Sequence, residues 1–328
     1  MLFRRPCYYD TFTCTAEKCT DNCCIGWEIC IDSETAEFYK SVGGELGKRL
    51  KKNICGDDEP SFIMKDGRCP FLNQSNLCDI ISSLGENALC QICTDHPRWF
   101  EWYGDEKEGG IGLSCEEGAR LILQEEGFAD YFESECNDLP DEDFDKNVYG
   151  FLFAVRDSIF DILTEEGLSF VQRANRLIEL SSEAEAELCG RKSTPEARFD
   201  FNTELKNTLS VLEKTQPIDE KWTAELNRLK ASPPVPEPDG EQEKYLTRLT
   251  AYFVWRYFLS SVFDYRVREK IAFALFSVTV ISALYHMNEE RDFSTLVKSA
   301  VLYSKQMEYS EENLDIFFES YNEKEFLQ

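Results

Sequence analysis

Sulfur is the most concentrated reactive group in this chain. CTAEKCTDNCCIGW places Cys14, Cys19, Cys23 and Cys24 in a C-x4-C-x3-C-C array. Further thiols follow in CPFLNQSNLCDI (Cys69, Cys78), LCQICTDHPR (Cys90, Cys93) and LSCEEGAR (Cys115). In a reducing compartment such a density points to metal ligation rather than disulfides. Only two histidines exist, His96 and His286, so a histidine-rich catalytic zinc site is excluded, and all-thiolate ligation selects an iron-sulfur centre or structural zinc. Eight cysteines form the candidate metal group: Cys14, Cys19, Cys23, Cys24, Cys69, Cys78, Cys93 and Cys115. They exceed what one cluster or one zinc requires, and the spacing leaves the ligating four open. The adjacent side chains of Cys23 and Cys24 tend to diverge, so one can ligate while the other packs. Cys7, Cys30, Cys55, Cys90, Cys136 and Cys189 read equally well as small buried hydrophobes.

The elements that must hold these thiols fall into two parts. Thirteen of the fourteen cysteines lie between Cys7 and Cys136, which marks residues 1–135 as a loop-rich cysteine domain with short helices. A helix should start at Asp32 or Ser33, either of which can cap it. RWFEWYG and IGLS bracket the polar DEKEGG as a turn-rich spacer, the pattern of a two-stranded hairpin. Ser114 and Glu117 have capping-box spacing, which would put Cys115 in the first turn of a helix. From 140 to 328 the pattern is helical: Val148, Leu152, Val155, Ile159 and Ile162 form one stripe, and further helices are expected near 167–188, 199–213, 218–230, 241–265, 268–287, 292–308 and 311–322. SPPVPEPDG, residues 232–240, reads as an extended linker. The expected fold class is mainly α, a cysteine-rich domain with a short hairpin followed by an all-α domain.

Charge and hydropathy narrow the partners. Sixty-two acidic against 35 basic residues give a net charge of −27, which disfavours nucleic acid and anionic lipid and favours basic proteins. Residues 101–145 alone carry sixteen Asp or Glu against Lys107 and Arg120. The most apolar run, IAFALFSVTVISAL, is too short to span a membrane and reads as a core helix. MLFRRPCYYD has no apolar stretch after its arginines, so a cytoplasmic location is expected. The C-x3-C-x2-C loop of radical adenosylmethionine enzymes is not present, because Gly26 stands where its third cysteine would be. SVGGELGKRL follows no buried strand, and its glycines read as turn residues.

RRPCYYDTFTCTAEKCTDNCCIGWEICID, GRCPFLNQSNLCDIISSLGENALCQICTDHPRWF and LSCEEGARLIL together resemble the signature blocks of the flagellin lysine-N-methylase family, within a wider set named for a CxxCxxCC-type zinc- or iron-chelating motif. The blocks cover residues 4–124. The resemblance implies a cytoplasmic enzyme that methylates lysine ε-amino groups of flagellin, with S-adenosylmethionine as donor and a cysteine-bound [4Fe-4S] cluster. The chain departs from the family at His96, where an aromatic residue is usual, and at Glu116, where proline is usual. Methyl transfer needs the neutral amine, hence a base or desolvation. Asp21, Asp32, Glu86 and Asp95 are the candidate bases, and Arg98 is a candidate clamp for the donor's carboxylate. Trp99, Phe100, Trp102 and Tyr103 offer cation-π contact to an ammonium. A metal-binding module without catalysis, or an iron-sulfur scaffold docking a basic partner, remains as the alternative.

Overall fold

A computed structural model describes residues 1–56, 58–138, 144–193, 198–232 and 234–325. In chain order, β1 (Leu2–Pro6) is followed by α1 (Ser33–Ser41), α2 (Gly44–Lys52), β2 (Ile54–Cys55), β3 (Ser61–Phe62), α3 (Asp79–Leu84) and α4 (Gln91–Asp95). Next come β4 (Arg98–Tyr103), β5 (Glu106–Ile111), α5 (Glu116–Gln124), β6 (Tyr131–Glu135), α6 (Lys146–Thr164), α7 (Phe170–Leu188), α8 (Phe201–Leu212) and α9 (Glu220–Lys230). The chain ends in α10 (Gly240–Tyr257), α11 (Ser261–Asp264), α12 (Val267–His286), α13 (Phe293–Glu308) and α14 (Glu311–Glu325). The fold is mainly α with a small sheet.

Two compact units are present, against the expected division at 1–135 and 140–328. One comprises residues 13–99 with 115–117, the other residues 1–12, 100–114 and 118–328. The difference arises from strand pairing: Phe3 of β1 is in parallel register with Lys107 of β5, and in antiparallel register with Ser134 of β6.

In the cysteine-rich unit, α1 starts where Asp32 accepts the Thr35 amide at 2.9 Å, as the sequence expects of a capping carboxylate. Gly47 sits in α2 where a Cβ would lie 2.0 Å from the Val42 carbonyl oxygen. The glycines of this segment therefore serve a turn and a close approach. Ile29, Ile31, Tyr39, Leu50, Phe62, Phe71 and Ile80 form the core, and Cys69 and Cys90 belong to it.

In the larger unit the sheet order is β4-β5-β1-β6. The hairpin is tighter than expected: only Gly104 and Asp105 separate β4 from β5, and most of DEKEGG is strand. Its charges look like a solvated spacer but are satisfied within the fold. Glu108 makes a fully buried two-point pair with Arg156 of α6, both contacts at 2.6 Å, and Glu106 accepts from the Tyr149 hydroxyl at 2.7 Å. The helices fall close to their expected ranges, except that 241–265 breaks into α10, a single 3-10 turn and α11. α12 packs on α7, α8, α10 and α13. Its serines and threonines are tolerated in the core because Ser277 and Thr279 donate to carbonyls four residues back, each at 2.7 Å. No helix among the described residues is long and apolar enough to cross a membrane. Of the 232–240 segment, Pro233 lies outside the described residues. Val235 is buried, and its amide donates to Asn202 Oδ1 at 2.9 Å, so this stretch is pinned.

Candidate metal-thiol site

The Cys23–Cys24 loop is built by backbone contacts with the segment around Cys69. The Cys69 amide donates to the Cys24 carbonyl at 2.9 Å, and the Gly26 amide to the Gly67 carbonyl at 2.8 Å. Asn22 Oδ1 accepts the Cys24 amide at 2.9 Å, and the Trp27 indole donates to the Cys23 carbonyl at 2.5 Å. Cys78 is returned toward Cys69 by a turn in which Asn73 Oδ1 accepts the Ser75 and Leu77 amides at 2.9 and 3.1 Å. Leu72 then bridges to Cys78. Cys90 precedes α4 and Cys93 lies within it, the Cys93 amide donating to the Cys90 carbonyl at 3.0 Å. Asp32 ties this helix to α1: one oxygen caps α1, and the other accepts the Gln91 amide at 2.8 Å.

Six sulfurs share one electrostatic neighbourhood. The Cys24 thiol is hydrogen-bonded to Cys23, and this bond, with burial and the charges of Cys23, Cys69 and Cys78, pushes its pKa up. The Cys93 thiol is pushed up likewise, chiefly by the neighbouring Cys90 thiol and burial, with Cys24 and Cys69 acting on it. Cys90 is the accepting partner, and the bond from Cys93 lowers its pKa despite burial. Burial raises Cys69 to about 11 and also raises Cys78. Cys24, Cys78 and Cys93 pack against the core that contains Cys69 and Cys90.

Five of the eight cysteines expected as ligands, Cys23, Cys24, Cys69, Cys78 and Cys93, fall in this neighbourhood. Cys90, whose type and spacing read equally well as packing, falls there too. The signal for Cys90 was its C-x2-C spacing to Cys93. Cys19 lies at the margin: burial raises its thiol to about 11, with Glu116 also acting on it. Glu116 Oε2 accepts the Thr20 amide at 2.7 Å and lies 3.6 Å from Cys19 Sγ. Cys115 stands immediately before α5, one residue short of the expected first turn and next to this carboxylate. Cys14 is exposed, with its sulfur accepting the Ala16 amide at 3.4 Å. Among the described residues, no three His, Cys, Asp or Glu side chains already stand as a group able to hold a metal ion. The donor set itself fits a soft metal, being thiol throughout. His96 lies beside it in sequence, stacked on Trp27 at 5.7 Å with a buried Nε2 that has no hydrogen-bond partner.

The other expected site residues separate by what they touch. Both Asp32 oxygens hold backbone amides, which outweigh the effect of burial and lower its pKa. Asp95 is half-buried on α4, and both its oxygens accept from the Gln91 side-chain amide at 2.9 Å. Glu86 is exposed, while Asp21 is half-buried and its carbonyl lies 3.3 Å from Cys19 Sγ. Arg98 opens β4, half-buried. Trp99 and Tyr103 are buried, whereas Phe100 and Trp102 alternate to the other face of β4. In the larger unit, a cleft of about 400 Å³ is lined by Arg4, Asp105, Glu106, Lys146, Tyr149 and Phe153. Its charges answer one another, Arg4 with Glu106 and Lys146 with Asp105.

Over 128 residues, 37% of its length, the chain is 30% identical to the flagellar biosynthetic protein FliU of Salmonella muenchen, and the match covers 76% of that protein. It is also 30% identical over 128 residues to the lysine-N-methylases of Salmonella typhimurium and Salmonella choleraesuis, spanning 32% of each. The chain therefore matches about a third of the length of those two relatives. No family model matches the chain. No solved structure matches it significantly.

Proposed function

The chain belongs to the family of FliU and the Salmonella lysine-N-methylases, and from that premise we propose that it is a protein-lysine N-methyltransferase. Its donor is S-adenosylmethionine, its substrate the surface lysines of flagellin, and its cysteine-rich unit holds a [4Fe-4S] cluster. Kinship with proteins named lysine-N-methylase carries the enzymatic part of this reading. The six-thiol neighbourhood supports the cofactor. Cys24, Cys69, Cys78 and Cys93 are our choice of four ligands, because Cys24, Cys78 and Cys93 pack against the core that contains Cys69. When bound, such a centre supplies one-electron chemistry or, as zinc, a structural cross-link.

The chain's own residues have a simpler task. A lysine must lose its proton before its lone pair can accept a methyl group. Asp95 is the carboxylate assigned to that step, since it is half-buried on the helix that carries Cys93 and is bound by a side chain rather than by backbone. Asp32 is assigned to positioning, because both its oxygens fix helix starts.

Incubation of the anaerobically purified chain with S-adenosylmethionine and flagellin tests the reading. Methylated flagellin lysines are expected, with a large loss of rate for Asp95→Asn; a cluster-loaded, folded chain that methylates nothing overturns it. A second reading, structural zinc without catalysis, is favoured by the position of Cys69 and Cys90 inside the core. Iron and acid-labile sulfide support the first reading, and stoichiometric colourless zinc supports the second.

A further inference from the structure

The larger unit holds a lysine ammonium in an aromatic cage. Lys107 Nζ lies 4.2 Å from the ring centre of Phe100, 4.9 Å from Trp102 and 5.6 Å from Phe3. Asp138 closes the remaining side at 2.5 Å. Strand register assembles the cage: Phe3 of β1 pairs with Lys107 of β5, and Phe100 and Trp102 project from one face of β4. Gly109, two residues along β5, makes it possible. A Cβ there would lie 2.9 Å from Phe100 Cδ1 and 2.9 Å from Phe3 Cε2, so the two rings close over the strand only because no side chain intervenes.

Three ring faces and a carboxylate are the recognition chemistry of an alkyl ammonium. N-methylation suits such a seat better than the bare ammonium, because it lowers the cost of desolvation while keeping the charge. Lys107 is held by ring contacts and by a carboxylate that is itself partly exposed, on a flexible four-carbon stem. Its side chain is 14% exposed and that of Asp138 is 41% exposed, so the rim of the cage is open to water.

We propose that the Phe3–Phe100–Trp102–Asp138 cage is an Nε-methyl-lysine binding site, that Lys107 is its resident stand-in, and that a methylated lysine of a partner protein enters when Lys107 swings out. This deepens the lysine-methylation reading and rests on it, by giving the chain a means of engaging a protein that already carries methylated lysines. Lys107 competes with the incoming side chain, so the wild-type chain binds weakly and removal of Lys107 reveals the site.

Calorimetric titration with N-acetyl-Nε-trimethyl-lysine amide tests this on the full chain. Lys107→Ala is expected to bind the probe at least ten-fold tighter than wild type, and adding Trp102→Ala should remove that gain. The neutral N-acetyl-norleucine amide should show no gain. A folded Lys107→Ala chain that binds no tighter, or one that gains equally for the neutral probe, overturns the proposal. Lys107→Thr, whose residue type suits a strand, is read by the same criterion if the alanine variant does not fold. The readout needs no catalysis: probe binding without methyl transfer overturns the enzymatic reading alone, and transfer without probe binding overturns the cage alone.

Discussion

A neighbouring thiol and burial push the pKa values of Cys24 and Cys93 up, toward the protonated form. A metal must displace those protons, so affinity depends on pH. Zinc affinity measured by competition with a chromogenic chelator should rise steeply from pH 6.5 to pH 8.5; a flat profile would mean that these thiols are not the ligands. Replacing Cys24 or Cys78 by Ser should abolish stoichiometric metal, while Cys14→Ser, at an exposed position, should retain it. Asp32 calls for a different measurement. Losing its two backbone contacts should cost about 1–2 kcal/mol of stability in Asp32→Ala by denaturant unfolding. Its folded pKa lies below the ordinary carboxylate value, so that increment is present above the unfolded pKa and disappears as pH falls through the folded one. At this scale the sequence was informative about residue type and poor about company. Thiol clustering and the Asp32 cap were both legible, but the role of Cys90 was not, since a C-x2-C pair beside an apolar run has the same pattern whether its first cysteine packs or ligates.

β5 shows why an element can be misread. Glu106, Lys107 and Glu108 have no apolar alternation, and their partners, Tyr149, the Phe3 ring and Arg156, are all distant in sequence. Local pattern therefore suggests a solvated spacer where the chain builds a strand. The buried Glu108–Arg156 pair gives that strand its energetic signature. Arg156→Met alone leaves a buried carboxylate without its partner and should cost about 3–5 kcal/mol, whereas the double variant with Glu108→Leu should recover most of that loss. A double-mutant cycle in urea decides it, and additive losses would contradict the pairing argument. On α12, burial raises Glu269 to about 7, against the pull of Arg266 and Lys270. Its folded pKa exceeds the unfolded one, so its contribution is complete below the unfolded value and lost as pH rises through 7. Glu269→Gln should therefore change stability little at pH 5 and raise it by about 1–3 kcal/mol at pH 8.

For the whole molecule, local pattern located most helices from α6 to α14 closely, amphipathic ones by their buried stripe and α12 by its apolar run, while the break between α10 and α11 was not legible. Of the sheet, only the β4–β5 hairpin declared itself. β1 joins segments more than a hundred residues away, and no local window contains both partners. The acidity of residues 101–145 also resolves in part into internal pairs, with Arg4, Lys107, Lys146 and Arg156 answering Glu106, Asp138, Asp105 and Glu108; residues 141–143 lie outside the described structure. Under the proposed function, lysine methylation depends on the thiol neighbourhood. The direct measurement is lysine-resolved mass spectrometry of flagellin after incubation with S-adenosylmethionine and either the anaerobically purified wild-type chain or Cys24→Ser, each checked for folding and metal content. Methyl groups on flagellin lysines with the wild type and their loss with the metal-free variant are predicted. Equal methylation by both chains, or none by a fully loaded wild type, would contradict that dependence.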